Sequence, residues 1–278
     1  MTLGPPDWSR LFPEADYRFH MGVRPGDGAA FFGPTAAREG LLAERGRWLE
    51  DCPGEYAAMG PDAGELLEEA IALAVGWGVP GLAGLPNASG STPLDRCVAL
   101  ARRWEPDFLL LRQGADGAFR LVGGSVCFPS SWSLQEKMGR PVAEIHGVVP
   151  GLNAGLGRQI DTFLARVSPG AAWERENWGL SGDDELNRHP RRHLPGLNAD
   201  VTLDAAWLRI EHQAFVRMPR TGGLLFGIRL SLHPFRALAA HPVAAKGLAR
   251  ALRTMPAEVA RYKGLAEAIA PLVRALEN

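Results

Sequence analysis

Residues 207–232, WLRIEHQAFVRMPRTGGLLFGIRLSL, decide the fold class. In the first half Leu208, Ile210, His212, Ala214, Val216 and Met218 fall on one face of an extended chain. Arg209, Glu211, Gln213, Phe215 and Arg217 fall on the other. RTGG at 220–223 then supplies turn chemistry, and LLFGIRLSL returns as a second strand carrying Arg229. An arginine-rich strand face has two readings. It is a solvated face with cross-strand ion pairs, or a ligand face whose guanidiniums grip carboxylates while the apolar face packs on helices.

An earlier segment repeats the strand signal: DFLLLRQ (107–113) and AFRLVGGSVCF (118–128) are apolar runs joined by GADG, a hairpin signature. Around these pairs the pattern is helical. Residues 35–50 carry Leu41, Leu42, Trp48 and Leu49 behind a candidate cap at Thr35, and residues 61–76 carry Leu66, Leu67, Ala70, Ile71 and Ala74. Asp95–Trp104 reads as a further short helix after a Gly- and Pro-rich loop at 76–92. SLQE (133–136) reads as a capping box opening a helix that ends at Gly139. Asn153 is the expected cap of a helix bearing Leu156, Ile160, Phe163, Leu164 and Val167. Two helices are expected from Pro242 onward, separated near Pro256, while residues 1–34 read as an irregular arm. The economical expectation is one α+β domain over 1–278, an antiparallel sheet flanked by helices with extra helices at both ends.

Thirty basic against thirty-one acidic residues leave a net charge of -1, which argues against nonspecific nucleic-acid or membrane-surface binding. No signal-peptide pattern or membrane span is evident, so a cytoplasmic location is expected. The three cysteines, Cys52, Cys97 and Cys127, form neither a disulfide framework nor a CxxC or CxxCH motif, and no dinucleotide fingerprint occurs. Cys52 and Cys97 are read as small core groups. One histidine stands out: His146, between Ile145 and Val148–Pro150 in EKMGRPVAEIHGVVPGL, is placed in a proline-braced loop against apolar residues. His212 is read as a buried, hydrogen-bonded histidine by strand parity, and His189 and His193 as solvated loop residues beside Arg191 and Arg192.

Four stretches, LVGGSVCFPSSWSLQEKMGRPVAEIHGVVPGL (121–152), RENW (175–178), LRIEHQAFVRMPRTGGLLFGIR (208–229) and YKG (262–264), together resemble the haem-binding α-subunit of haem-dependent oxidative N-demethylase. The resemblance implies a PAS-like sheet enclosing b-type haem iron. It further implies oxidation of a small secondary amine by dioxygen, with release of formaldehyde and electrons arriving from NAD(P)H through separate flavin and iron-sulfur subunits. His146 is then the candidate axial ligand, with the Cys127 thiolate second. Arg209, Arg217 and Arg229 are candidates for the haem propionates, Arg175 and Asn177 for propionate or substrate, and Trp178 for a pocket wall. Glu211 and Glu144 are the carboxylates that could hold a substrate ammonium and take its proton. The chain departs from the family pattern at Val148, where a proline is expected, and at His212, where an arginine is. A haem or small-ligand sensor, and an assembly partner that has lost haem, are the rival readings.

Overall fold

The computed structural model describes residues 6–82, 84–85 and 91–277, so the expected 76–92 loop and the first residues of the arm lie partly outside the described residues. Among the described residues seven strands form one sheet: β1 (Arg24–Pro25), β2 (Ala57–Met59), β3 (Asp107–Gln113), β4 (Phe119–Ser125), β5 (Ala172–Ser181), β6 (Trp207–Arg217) and β7 (Leu224–Pro234). Their spatial order is β1-β5-β6-β7-β3-β4-β2, and every neighbouring pair is antiparallel. This is an α+β fold, as the alternating runs require. Around the sheet lie α1 (Trp8–Leu11), α2 (Gly28–Phe32), α3 (Arg38–Asp51), α4 (Pro53–Tyr56), α5 (Gly64–Gly76), α6 (Pro93–Ala101), α7 (Val142–His146), α8 (Leu152–Arg166), α9 (Phe235–Ala239), α10 (Pro242–Thr254), α11 (Ala257–Tyr262) and α12 (Ile269–Glu277).

The β6–β7 hairpin is the spine. Its register pairs Glu211 with Leu230, Phe215 with Phe226 and Arg217 with Leu224, which fixes which side chains share a face. On one face Ala214, Val216, Met218 and Leu225 join Phe108 and Leu110 under α2, α3, α5 and α6. Farther along that face Leu208 and Ile210 pack under α1 and α9–α12. The opposite face, built from Leu109, Leu111, Leu121 and Leu224 with Phe215 and Phe226, is covered by Leu156, Ile160 and Leu164 of α8. Gly227, paired with Ala214, leaves a trough for Phe32, and a methyl added there would overlap that ring.

Several local expectations are corrected. The segment at SLQE is a single 3-10 turn, Gln135–Lys137, without a capping hydrogen bond. Asn153 lies inside α8, whose first boundary residue is Gly151 in the left-handed conformation (φ 76°); the Asn153 amide instead donates to the Ala143 carbonyl at 2.7 Å. The cap expected at Thr35 is not formed on α3, which starts after Ala37, because the Thr35 hydroxyl donates to Glu105 at 2.6 Å. Beyond Pro242 there are three helices, the extra break falling between Tyr262 and Ile269. The strand β5 was hidden in AWERENWGLS.

The amino-terminal segment is tied to the chain's own sheet. Phe12 is buried, β1 adds to the edge of β5, and Phe31 and Phe32 enter the core. Two arginines, Arg10 at 2.7 and 2.8 Å and Arg24 at 2.8 and 2.7 Å, each grip the Glu176 carboxylate with both guanidinium ends. Burial alone would raise that carboxyl; the hydrogen bonds from Arg10 and Arg24 outweigh it and hold it at about 2. A carboxyl depressed in the folded state contributes stability above its ordinary value of 4.5 that is lost as pH falls toward 2. Because both arginines are substantially exposed, the expected size is about 1–2 kcal/mol. Urea denaturation should show Glu176→Gln weaker than wild type by that amount at pH 7, the gap closing near pH 2–3. A constant gap across this range would sink the assignment.

Candidate functional site

On β5 and β6 the register sets Arg175 opposite Gln213 and Asn177 opposite Glu211. All four therefore project from the face that α7 and α8 approach. Glu211 Oε2 accepts from Gln213 Nε2 at 2.9 Å and from Asn177 Nδ2 at 3.3 Å. On β7 the same face continues as Ile228 and Leu230, so a polar platform adjoins an apolar one.

His146 closes α7 rather than lying in a loop. Pro141 precedes the first turn with extended geometry, as a proline that cannot donate a helical hydrogen bond favours. The chain then reverses through 147–151 into α8, with Val149 N donating to the His146 carbonyl at 3.0 Å. Burial, reinforced by the Arg175 charge and partly opposed by Asp161, lowers the imidazole below its ordinary value. At neutral pH the ring is uncharged, the form that ligates metals. Its Nδ1 is buried without a hydrogen-bond partner, and so is Nε of Arg175. Open polar atoms also occur elsewhere, on Arg45 in the core among them, but here two of them, on a histidine and an arginine, border the platform, an arrangement a ligand would complete.

Lys263, in the YKG stretch, reaches the same neighbourhood. Its ammonium donates to the Trp178 carbonyl at 3.1 Å and lies 5.2 Å from the centre of that indole. Burial lowers its pKa while the Glu211 carboxylate pulls it back up. Residue spacing gave no sign of this placement.

Other candidates are not brought together. Arg229 shares a face with His212, away from the platform, and donates to the Phe31 carbonyl at 2.6 Å, the Gly33 carbonyl at 2.6 Å and Glu105 at 3.0 Å. Arg209 faces the platform; two of its nitrogens donate to the Glu185 and Leu186 carbonyls at 2.6 and 2.9 Å and hold the loop between β5 and β6, while its Nε is buried without a partner. Arg217 stands eight residues along the same strand from Arg209, about 27 Å at an ordinary strand rise, over the Phe119 ring. One pair of neighbouring carboxylates cannot engage both. Glu144 is exposed and pairs with Arg140 at 3.3 Å. Trp178 turns to the opposite face, edge-on to Phe12. Cys127 is fully buried, its thiol pushed up to about 11 chiefly by burial. His212 shares a hydrogen bond with Ser231 Oγ at 3.0 Å, and burial lowers it to about 4. His189 is not solvated: it is buried, edge-on to Tyr56, and Nδ1 accepts from Arg191 N, whereas His193 is exposed.

The family described as haem-dependent oxidative N-demethylase, alpha subunit-like, matches residues 84–273. The chain belongs to this family. The matched span contains β3 through β7 and every platform residue, together with His146 and Lys263; the arm and α1–α5 precede it. The family's description is of a haem-dependent enzyme and of one subunit among several. The residues present fit a haem: a neutral imidazole with an open buried nitrogen, a half-buried arginine whose Nε is buried and open, and an apolar strip beside them. Among the described residues no cluster of three or more metal-ligating side chains occurs, and no helix is long and apolar enough to cross a membrane. A haem iron draws only one or two ligands from protein, so the first of these does not bear on the haem site.

Proposed function

We propose that this chain is the b-type haem subunit of an oxidative N-demethylase, PAS-like in its sheet, which uses dioxygen to remove a methyl group from a small secondary amine. The observation that carries the proposal is the open, buried Nδ1 of an uncharged His146 near the open Nε of Arg175, in a chain whose family is haem-dependent. The bound haem supplies the activation of dioxygen, and formaldehyde is released with the demethylated amine. Electrons come from NAD(P)H through a separate flavin and iron-sulfur subunit, consistent with an alpha subunit that has no dinucleotide fingerprint.

In this reading His146 would hold the haem iron, and the depressed imidazole keeps a lone pair available at neutral pH. Arg175 would hold a propionate, for which a guanidinium with a buried nitrogen lacking a partner is suited. Asn177 and Gln213 hold Glu211, whose carboxylate binds the substrate ammonium and accepts its proton. Of the two candidate carboxylates only Glu211 has such surroundings, since Glu144 is exposed and paired with Arg140. Arg209 and Arg229 serve the protein's own loops and helices.

The test is haem reconstitution followed by absorption spectroscopy. Wild type should take up haem stoichiometrically with a sharp Soret band. His146→Ala should lose or shift the band, and Cys127→Ala should leave it in place. An unchanged band in His146→Ala would remove the ligand assignment, and no specific band in wild type would remove the haem reading itself.

A further inference from the structure

Arg10 and Arg24 converge on one carboxylate, so residues 11–23 leave the sheet edge and return to the same point. A compact surface loop with joined ends and its own packed side chains is a recurrent functional element. Its first half is seated on the carboxy-terminal helices: Phe12 is buried, Arg250 Nε donates to Asp16 at 2.8 Å, and Tyr17 N donates to Thr254 Oγ1 at 2.8 Å. Its second half crosses to the other side of the sheet. Phe19 and Met21, like Ile145 and Leu152, pack at the margin of the core cluster beneath α8, and the Phe19 ring would lie 3.8 Å from a Cβ on Gly151. His20 is close enough to Arg175 to have its own pKa depressed, after burial, by that charge. Gly22 sits at φ 58°, a joint before Arg24 that a side chain would strain.

The carboxylate that fastens both ends is Glu176, the residue between Arg175 and Asn177 on β5, with its side chain on the opposite face. The fastening and the site therefore share one strand. We infer that residues 17–23 form a flap over His146 and Arg175, latched by the Arg10–Glu176–Arg24 clamp, and that its release governs access of haem and substrate. This rests on the haem reading for its ligand, and on the packing and hydrogen bonds of residues 10–24 for the flap. The whole flap lies before residues 84–273, the span matched by the family.

The experiment measures carbethoxylation of His146 by diethyl pyrocarbonate, residue by residue by mass spectrometry, in the haem-free protein, with the exposed His193 as internal standard. Wild type should protect His146; Glu176→Ala, and independently Arg10→Ala with Arg24→Ala, should raise its rate about tenfold relative to His193. The double arginine variant changes only surface-reaching side chains and keeps the test alive if Glu176→Ala folds poorly. Native circular dichroism with an unchanged His146 rate overturns the flap. The same variants loaded with haem should lose it to apomyoglobin about tenfold faster. Absence of a specific Soret band together with the predicted His146 rates would leave the flap standing and remove haem as its ligand. A normal band with unchanged His146 and haem-loss rates would do the reverse.

Discussion

Asp107→Ala should destabilise the protein by about 3–5 kcal/mol, the cost expected when one partner of a buried ion pair is removed. Arg45 is fully buried, and its Nη1 donates to Asp107 Oδ1 at 2.5 Å while Nε donates to the Ala101 carbonyl at 3.0 Å. The same carboxylate accepts from the backbone N–H groups of Cys127 at 2.8 Å and Phe128 at 3.0 Å. Alanine would strand a guanidinium and two amides together in a place water does not reach. For a chain of this size the midpoint of thermal unfolding should fall by roughly 6–20 °C. Replacing both charges by apolar residues of similar volume, Arg45→Met with Asp107→Leu, should recover part of the loss because no uncompensated charge remains. Urea denaturation of the two variants decides the matter, and a loss below about 1 kcal/mol in Asp107→Ala would mean that Arg45 finds another partner.

The second large effect is on turnover. In Glu211→Gln, kcat/KM for a small N-methyl secondary amine should fall about 10²–10⁴-fold, the usual range for a lost proton-transfer group. Asn177 and Gln213 both engage Oε2 and leave Oε1 for a cation on the platform side. Glutamine keeps the shape and an acceptor but loses the charge, so the Soret band should stay where it is while formaldehyde release collapses. Glu144→Gln, on an exposed turn, should remain within about twofold of wild type. Formaldehyde release in a single turnover of pre-reduced protein mixed with oxygen and amine separates this effect from electron supply. Full activity in Glu211→Gln would sink the role assigned to that carboxylate.

Much of the sheet could be read from residue order because β6, β7, β3 and β4 pack at least one face against a core, which forces apolar residues to a period of two or to an unbroken run. The strand β5 defied that rule for a physical reason. Glu174 and Glu176 point to one side, where arginines of the arm meet them, and Arg175 and Asn177 to the other, where the platform lies. With charged work on both sides no hydrophobic alternation survives, and Arg175 and Asn177 were found only through RENW. Sites are where local rules are expected to fail. Arg229 shows a different limit. Its face depends on how many residues the turn from Met218 to Gly223 inserts between two otherwise clear strands, and one residue more would have sent it to the platform. His189 is buried through Tyr56, and no local pattern announces a partner so distant in sequence. His146 was legible as unusual from its apolar flanks, but its placement at the end of a helical turn follows from Pro141 and from the Asn153–Ala143 tie.

The β6–β7 hairpin is shared by three separate packing clusters. Leu208 and Ile210 belong to one, Ala214, Val216 and Leu225 to the second, and Leu224 with Phe215 and Phe226 to the third. None of the three can melt without loosening strands the others need, so heat should take the molecule apart in one step. The arrangement makes cooperativity a property of two neighbouring strands: a defect introduced in the hairpin is felt by every layer at once, whereas a defect in an outer helix is felt by one.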